Sequence, residues 1–396
     1  MREAQHLWRQ NSSLEDDWGA GGRYTESGVV YVADKGARGD GEKYLQSALQ
    51  NVRKLAEDDP GIGGRNGQEG IKELHSTGEI EDVMGKGALG AGTWGYLNEG
   101  SGWANAEKCV DFAVKKLEQE GLPRGRLTIL TGQKVKRLIY SDYGKSVKGA
   151  LLESGDAIEA DLTILATGCW TPALVDLRGR AVATGQALGY VDITEEEQSI
   201  LGDLPVILNE NDGTFIIPPR DRLLKIARHG YGYRNPIKIP NPMPGKEGEQ
   251  IEVSVPVVGE EVPSEGQEVC RQALKNMVHL KPGPADREWA KTRVCWYCDT
   301  PSGDFLITPH PAVSNLILAT GGSGHGFKFL PVIGEKIVDL ISDHLGLSVN
   351  TFDPELKHIW RWRNDDELLG KGDMEIECED GSRGGKRGMI WANEVE

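Results

Sequence analysis

The sequence has no apolar run near the ~18 residues that a membrane-spanning helix needs. Its opening, Met1-Arg-Glu-Ala-Gln-His-Leu-Trp8, has no apolar signal core, which argues against secretion. Its close, Asn-Glu-Val-Glu396, is not a peroxisomal tripeptide, so the expected location is cytoplasmic. Positive charge is in deficit. Lys and Arg number 45 against 61 Asp and Glu, a net −16, and nucleic-acid phosphates would be repelled. Cysteine is sparse: six in 396 residues (109, 169, 270, 295, 298 and 378) make no disulfide framework and fit a reducing compartment. No G-x-G-x-x-G ends a first strand and opens a helix, the arrangement by which a Rossmann unit takes a dinucleotide. Gly61-Ile-Gly-Gly-Arg-Asn-Gly67 and Gly85-Lys-Gly-Ala-Leu-Gly90 are glycine-rich, but neither follows a buried strand, so both read as loops.

What is present is a globular composition, 38% hydrophobic and 27% charged, in a chain long enough for two domains or one discontinuous unit. Glu3, Ala4, Leu7 and Trp8 have helical spacing without a preceding cap, so residues 1–10 read as the end of a helix. Gly28–Ala33 is a short apolar strand. Asp40–Asp59 is a helix with Tyr44, Leu45, Ala48, Val52 and Leu55 on one face, and 60–70 is a loop. Trp103–Glu120 is the clearest helix: Trp103, Ala106, Val110, Ala113 and Leu117 recur at three- and four-residue steps, and Gly121 and Pro123 stop it. Strands follow at Leu127–Leu130, 134–140 and 148–153. Ala160–Gly168, apolar on both sides, suits a buried parallel sheet. From 181 the texture changes to strands at 182–192, 205–208, 214–217 and 223–227, a mostly antiparallel sheet. A proline-rich loop (234–248) and a helix (Gln267–Leu280) come next. A strand (Leu316–Ala319) and helix (Pro331–Leu345) then return to the α/β texture. Residues 366–396 are polar and glycine-rich, and read as a loosely packed tail.

Several stretches carry residues that their local structure does not need. Ala166-Thr167-Gly168 ends a strand where a glycine lets the chain pass close to a ligand. Gly321-Gly322-Ser323-Gly324-His325-Gly326 leads into a helix whose N-terminal N–H groups can stabilise negative charge. Lys328 follows between Phe327 and Phe329. Lys225 and His229 close a strand; read alone they are a surface lysine and a core histidine. Cys295 and Cys298 form C-x-x-C, a redox dithiol or half a zinc site, though no second pair completes a metal set.

The stretches Arg293–Ile307 and Leu318–Pro331 together resemble the fructosyl amino acid oxidase, saccharopine oxidase and sarcosine oxidase group of FAD-dependent amine oxidases. Cys169–Asp176, Ala183–Tyr190, Trp94–Asn98 and Gly102–Ala106 extend the resemblance. It implies an α/β, Rossmann-like FAD domain with an α+β, mostly antiparallel substrate domain, of the glycine and D-amino-acid oxidase type. The expected division is a helix in 1–20, a substrate domain from 21–98 and 183–308, an FAD domain from 99–182 and 309–365, and the 366–396 tail. The resemblance places FAD against Ala166, Thr167, Gly168, Gly322, Ser323, Gly324, His325, Gly326 and Lys328, with a thioether link at Cys295. It gives Lys328 the carboxylate of an amino-acid substrate, and Lys225 a place near flavin N5 in oxygen reduction. His229 matches an active-site histidine of sarcosine oxidases, where fructosyl amine oxidases often carry an acid. Implied partners are a small amino-acid-derived amine and oxygen, with no nucleic acid, no membrane and a monomeric state. The family's fingerprint and its N-terminal basic residue are not found. The chain thus resembles a member lacking several dozen leading residues, which implies poor FAD binding. A catalytically inactive remnant acting as a binding protein, or a thiol–disulfide protein using Cys295 and Cys298, are the alternatives.

Overall fold

The structure, a computed structural model, describes residues 2–36, 40–85, 87–121, 125–347, 351–368 and 376–394. Its centre is a ten-stranded sheet. The order is Met389–Ile390, Tyr233–Arg234, Val182–Asp192, Leu223–Arg228, Thr214–Arg220, Val206–Asn209, Val29–Ala33, Trp94–Asn98 and Ile71–Leu74. Lys291–Asp299 branches off by pairing antiparallel with Val182–Asp192. Pairing is antiparallel except between Val206–Asn209 and Val29–Ala33, and between Tyr233–Arg234 and Met389–Ile390.

Alternation sorts the side chains of this sheet. Val30 and Val32 point into a core shared with Ile207, Ile216, Leu224 and Ile226, covered by the helices Thr77–Val83 and Ser264–Met277. Tyr31 and Ala33 point the other way, against Leu45, Leu49 and Ala56 of the helix Gly41–Asp58. Leu224 and Ile226 are wholly buried, and each stabilises the fold by about 2 kcal/mol relative to exposure. Lys225, between them, is therefore forced onto the opposite face.

Beside this sheet lie two three-stranded ones. Thr163–Leu165 runs parallel to Leu316–Thr320, which pairs antiparallel with Leu306–Pro309. The helix Leu330–His344 packs on this group through Ile337, Leu340 and Ile341. Val135–Tyr140, Val147–Leu152 and Ala157–Glu159 form an antiparallel meander.

Several expectations need correction. Leu127–Leu130 is not a strand: no neighbour pairs with it among the described residues, and Leu130 is 57% exposed. The helix expected from Trp103 begins at Ala106, because Asn105 caps it and Trp103–Ala104 pairs with Tyr24–Thr25. Its apolar stripe faces outward. Val110 and Leu117 are exposed, while Cys109 and Phe112 pack inward. The strand in 160–168 shortens to Thr163–Leu165, and as an edge strand it leaves Ile164 exposed. Within 234–248, Pro236–Pro240 is a strand, its edge pairing with Gln250–Ser254. The 60–70 segment is built of 3₁₀ turns, and the strand Ile71–Leu74 and helix Thr77–Val83 were not foreseen.

The expected loose tail is docked. Ile376, Cys378, Met389 and Trp391 are buried, Met389 and Trp391 within the main core. Arg234 Nη2 donates to the Ile376 carbonyl at 2.8 Å. Four apolar side chains spaced through a polar segment suffice for this, and average composition hides them. Pro123 and the tail's 369–375 lie outside the described residues.

Candidate active site

The face of the sheet opposite the main core gathers the charged and aromatic groups. Register places them. Val182–Asp192 pairs Tyr190 with Lys225 on one side, and Gln186 with Cys295 and Thr184 with Tyr297 on the other. Paired residues share a face, so Lys225, Cys295 and Tyr297 look the same way. Lys225 Nζ lies 5.7 Å from the Phe215 ring centroid. Burial lowers its ammonium pKa; Cys295 opposes this and Arg293 reinforces it. Among the described residues, no hydrogen bond or ion pair reaches this ammonium.

Cys295 is half-buried and Cys298 buried, both free thiols. Three residues apart on a strand, they point to opposite faces. Cys298 packs with Leu306 and Leu318 and accepts from Thr320 Oγ1 at 3.3 Å, its thiol pushed up to about 11 by burial. This arrangement suits neither a dithiol pair nor a metal site. Among the described residues no group of three or more His, Cys, Asp or Glu could hold a metal ion.

His229 sits just beyond the strand Leu223–Arg228. Its Nδ1 is 3.4 Å from the Tyr297 hydroxyl, and Arg383 Nη1 lies within 2.9 and 2.7 Å of its two ring nitrogens. Burial, then Arg383, His325 and Lys328, drive its pKa well below the ordinary histidine value. The ring is neutral near pH 7.

The turn 321–326 follows the strand Leu316–Thr320. Gly321 and Gly324 are left-handed, with φ of 71° each, and a Cβ on Gly324 would lie 2.5 Å from the Tyr297 ring. Ser323 is left-handed too. It is held by its N–H donating to Cys298 O at 3.0 Å and its hydroxyl accepting from the Thr300 N–H at 3.2 Å. Gly322 faces open space. His325 Nε2 donates to the Gly303 carbonyl at 2.7 Å, which leaves Nδ1 as the acceptor, and that atom is buried without a partner. Beside this turn is the second glycine turn. The Gly168 carbonyl accepts from Thr320 Oγ1 at 3.1 Å, and nothing lies within 4 Å of where a Gly168 Cβ would be. Ala166-Thr167-Gly168 and Gly321–Gly326 thus close the carboxyl ends of two adjacent parallel strands, the position where open α/β sheets take ligands.

Lys328 follows the turn, its carbonyl accepting from Trp8 Nε1 at 2.7 Å. Its side chain is exposed to a cavity of about 480 Å³ whose walls include Trp8, Tyr24, Tyr31, Tyr96 and Phe327. Desolvation lowers its ammonium pKa and Asp380 counters. It too has no hydrogen bond or ion pair among the described residues.

Sequence reasoning missed Tyr297, Asp299 and Arg383. Tyr297 and Asp299 follow from Cys295 by alternation, and that signal could have found them. Arg383 has no local signal, since its role depends on where the tail docks.

Two glycine turns close adjacent parallel strand ends, a buried His325 nitrogen lacks a partner, and Lys225 and Lys328 have no ion pair, all among the described residues. The chain belongs to the family of FAD dependent oxidoreductases, whose model, DAO, matches residues 1–340. Amino acid oxidase imqH of Aspergillus flavus is 30% identical over 407 residues, covering 92% of this chain and 83% of that protein. The L-saccharopine oxidase of Schizosaccharomyces pombe is 27% identical over 374 residues, covering 92% and 79%. The fold is that of the fructosamine oxidase Amadoriase II from Aspergillus fumigatus. Its crystal structure superposes with a TM-score of 0.76 at 24% identity, covering 100% of this chain and 82% of that one. Among the described residues, no helix is long and apolar enough to cross a membrane.

The residues present fit the ring end of FAD. Gly322 and Gly168 leave open space at the strand ends, and the buried His325 Nδ1 can accept a hydrogen bond from a ligand.

Proposed function

We propose that this chain oxidises the C–N bond of a secondary amine carried on an amino acid, with oxygen as final acceptor. The observation that carries this is the pair Lys225 and Lys328, two ammonium groups with lowered pKa and no ion-pair partner among the described residues. Lys328 follows the glycine turn 321–326 and Lys225 shares a sheet face with Cys295 and Tyr297, in a chain of the FAD family. FAD, when bound, supplies the acceptor for the two electrons that leave the substrate. The resulting imine is hydrolysed by water to an amine and a carbonyl compound, and oxygen takes two electrons and two protons to become peroxide.

The chain's own residues do the rest. Lys328 binds the substrate carboxylate as a charge-assisted anchor at the cavity wall. His229, neutral and held by the Arg383 guanidinium and the Tyr297 hydroxyl, borders the reacting centre. Lys225 offers a fixed positive charge where oxygen gains negative charge. The backbone N–H groups of Gly322 and Gly324, which donate to no protein acceptor among the described residues, are the ones left for the cofactor ring, and Cys295 is the thiol that would hold it covalently. The likeness of this chain to an amino acid oxidase and to L-saccharopine oxidase supports an amino-acid-derived substrate.

The test separates the two lysines. Lys328→Ala is expected to raise KM at least tenfold with kcat little changed, because the anchor acts equally in ground and transition states. Lys225→Met is expected to slow flavin reoxidation by oxygen more than flavin reduction by substrate. The KM of the unaltered protein should also rise at alkaline pH, earlier than an ordinary lysine would dictate, since the lowered Lys328 loses its proton sooner. Lys328→Ala removes that limb. Equal effects of both substitutions on both half-reactions would refute the roles.

A further inference from the structure

One side chain ties three parts of this site together, and it comes from the tail. Arg383 Nη2 donates to Asp299 Oδ1 at 2.6 Å and to the Ser323 carbonyl at 2.8 Å, while Nη1 contacts the His229 ring. The guanidinium also lies 5.3 Å from the Tyr297 ring centroid. The Arg383 side chain is 1% exposed and that of Asp299 3%. Asp299 Oδ2 accepts from Thr184 Oγ1 at 2.5 Å, which fixes the carboxylate from behind. The strand bearing Cys295 and Tyr297, the turn bearing Ser323, and the end of the strand bearing Lys225 all meet at this one guanidinium.

The tail is built to deliver it. Ser382 donates through its N–H and its hydroxyl to Asp380 Oδ1, at 2.9 and 2.7 Å. Gly384 bridges to Gly230 in the parallel sense, and a Cβ there would sit 2.2 Å from the backbone of Asp212. Met389–Ile390 then joins the main sheet. Arg383 is thus held between Ser382, bonded to the Asp380 carboxylate, and Gly384, packed on the Asp212 backbone.

We propose that Arg383 is a positioning residue through which docking of the segment 376–394 fixes the orientation of His229 and seats the Ser323 turn against the strand carrying Cys295. The proposal rests on the reading of His229 and the 321–326 turn as parts of the reacting site. It carries an electrostatic consequence. His229 is faced by Tyr297 from the strand Lys291–Asp299, by Arg383 from the tail, and by His325 and Lys328 from the turn. Lys225 lies on its own strand, and Asp299 stands behind the Arg383 guanidinium. No carboxylate hydrogen-bonds the ring among the described residues. A cation fixed beside the ring opposes its protonation, so the docked tail keeps His229 neutral.

The experiment titrates His229 in the full-length protein by NMR on 13C-labelled histidine, its signal assigned by loss in His229→Gln. Arg383→Met is expected to move the titration midpoint upward, because a neighbouring cation is gone. Asp299→Asn keeps the Arg383 cation and is expected to show no upward move. Arg383→Gln, which retains a donor without the charge, must show the same rise, and it carries the test if Arg383→Met does not fold. An unchanged midpoint in folded Arg383→Gln or Arg383→Met overturns the proposal. So does a rise in Asp299→Asn as large as theirs, since general loosening of the site would then be the cause. The titration needs no turnover. Absence of amine-dependent peroxide would count against the oxidase reading and leave this result standing.

Discussion

Glu265 shows how much a single carboxylate can hold. Arg228, wholly buried at the core end of its strand, donates to Glu265 Oε1 at 2.7 Å and Oε2 at 3.1 Å, and the Tyr233 hydroxyl donates to the same group. Burial alone would raise the Glu265 pKa, but the hydrogen bonds and charge of Arg228 win, and the net direction is down. A depressed carboxylate contributes stability that is complete above its unfolded pKa and lost as pH falls through its folded one. Glu265→Gln is expected to cost about 3 kcal/mol at neutral pH, since a buried guanidinium loses its partner. The loss should shrink as the acid limb is approached. Denaturant melts at neutral and acid pH check this, and a pH-independent difference would contradict it. At the same scale, Cys295 and Cys298 separate cleanly by face. If Cys295 holds the flavin, acid denaturation leaves the flavin with the protein in Cys298→Ala and releases it in Cys295→Ala. Flavin retained in Cys295→Ala would rule the link out.

At the scale of elements, the helix Ala106–Glu120 is informative because its sequence pattern and its packing disagree. The three- and four-residue rhythm of Val110, Ala113 and Leu117 is a genuine helical stripe, yet Val110, Val114 and Leu117 are exposed. The buried side is made by Cys109 and Phe112, with Arg23 stacked 4.0 Å over the Phe112 ring. Periodicity identified the helix and could not identify its inner face, because both sides carry apolar residues. Val114→Lys with Leu117→Lys is expected to change stability by less than about 0.5 kcal/mol, as surface substitutions do. It should also reduce self-association measured by light scattering. A loss of several kcal/mol would place a partner on that stripe.

For the molecule as a whole, legibility followed the distance over which information had to travel. The central strands and most helices were readable because period-two and helical patterns are local. The turn 321–326 was readable as a glycine-rich lead into a helix, whereas Lys225 and His229 were singled out only by the family resemblance. Leu127–Leu130 failed because a strand exists only when another strand pairs with it, and propensity carries no such knowledge. The docked tail failed for the same reason. Ile376, Met389 and Trp391 are separate apolar residues in a polar stretch, and only the tertiary fold says that they are buried, the last two in the main core. Arg383 is the extreme case, since its contacts to Asp299 and His229 span 84 and 154 residues of chain.

That span has a consequence in time. A ribosome releases Asp299 well before Arg383, and at ~5–20 residues per second the 84 residues between them take roughly 4 to 17 s. Throughout that interval the sheet can assemble, yet its buried carboxylate has no counter-ion, and the Ser323 carbonyl has no guanidinium to receive. Until then the Thr184 hydroxyl is the only side-chain donor to the Asp299 carboxylate among the described residues. Docking of the segment 376–394 brings Arg383 to Asp299 and adds Met389–Ile390 to the main sheet in the same event.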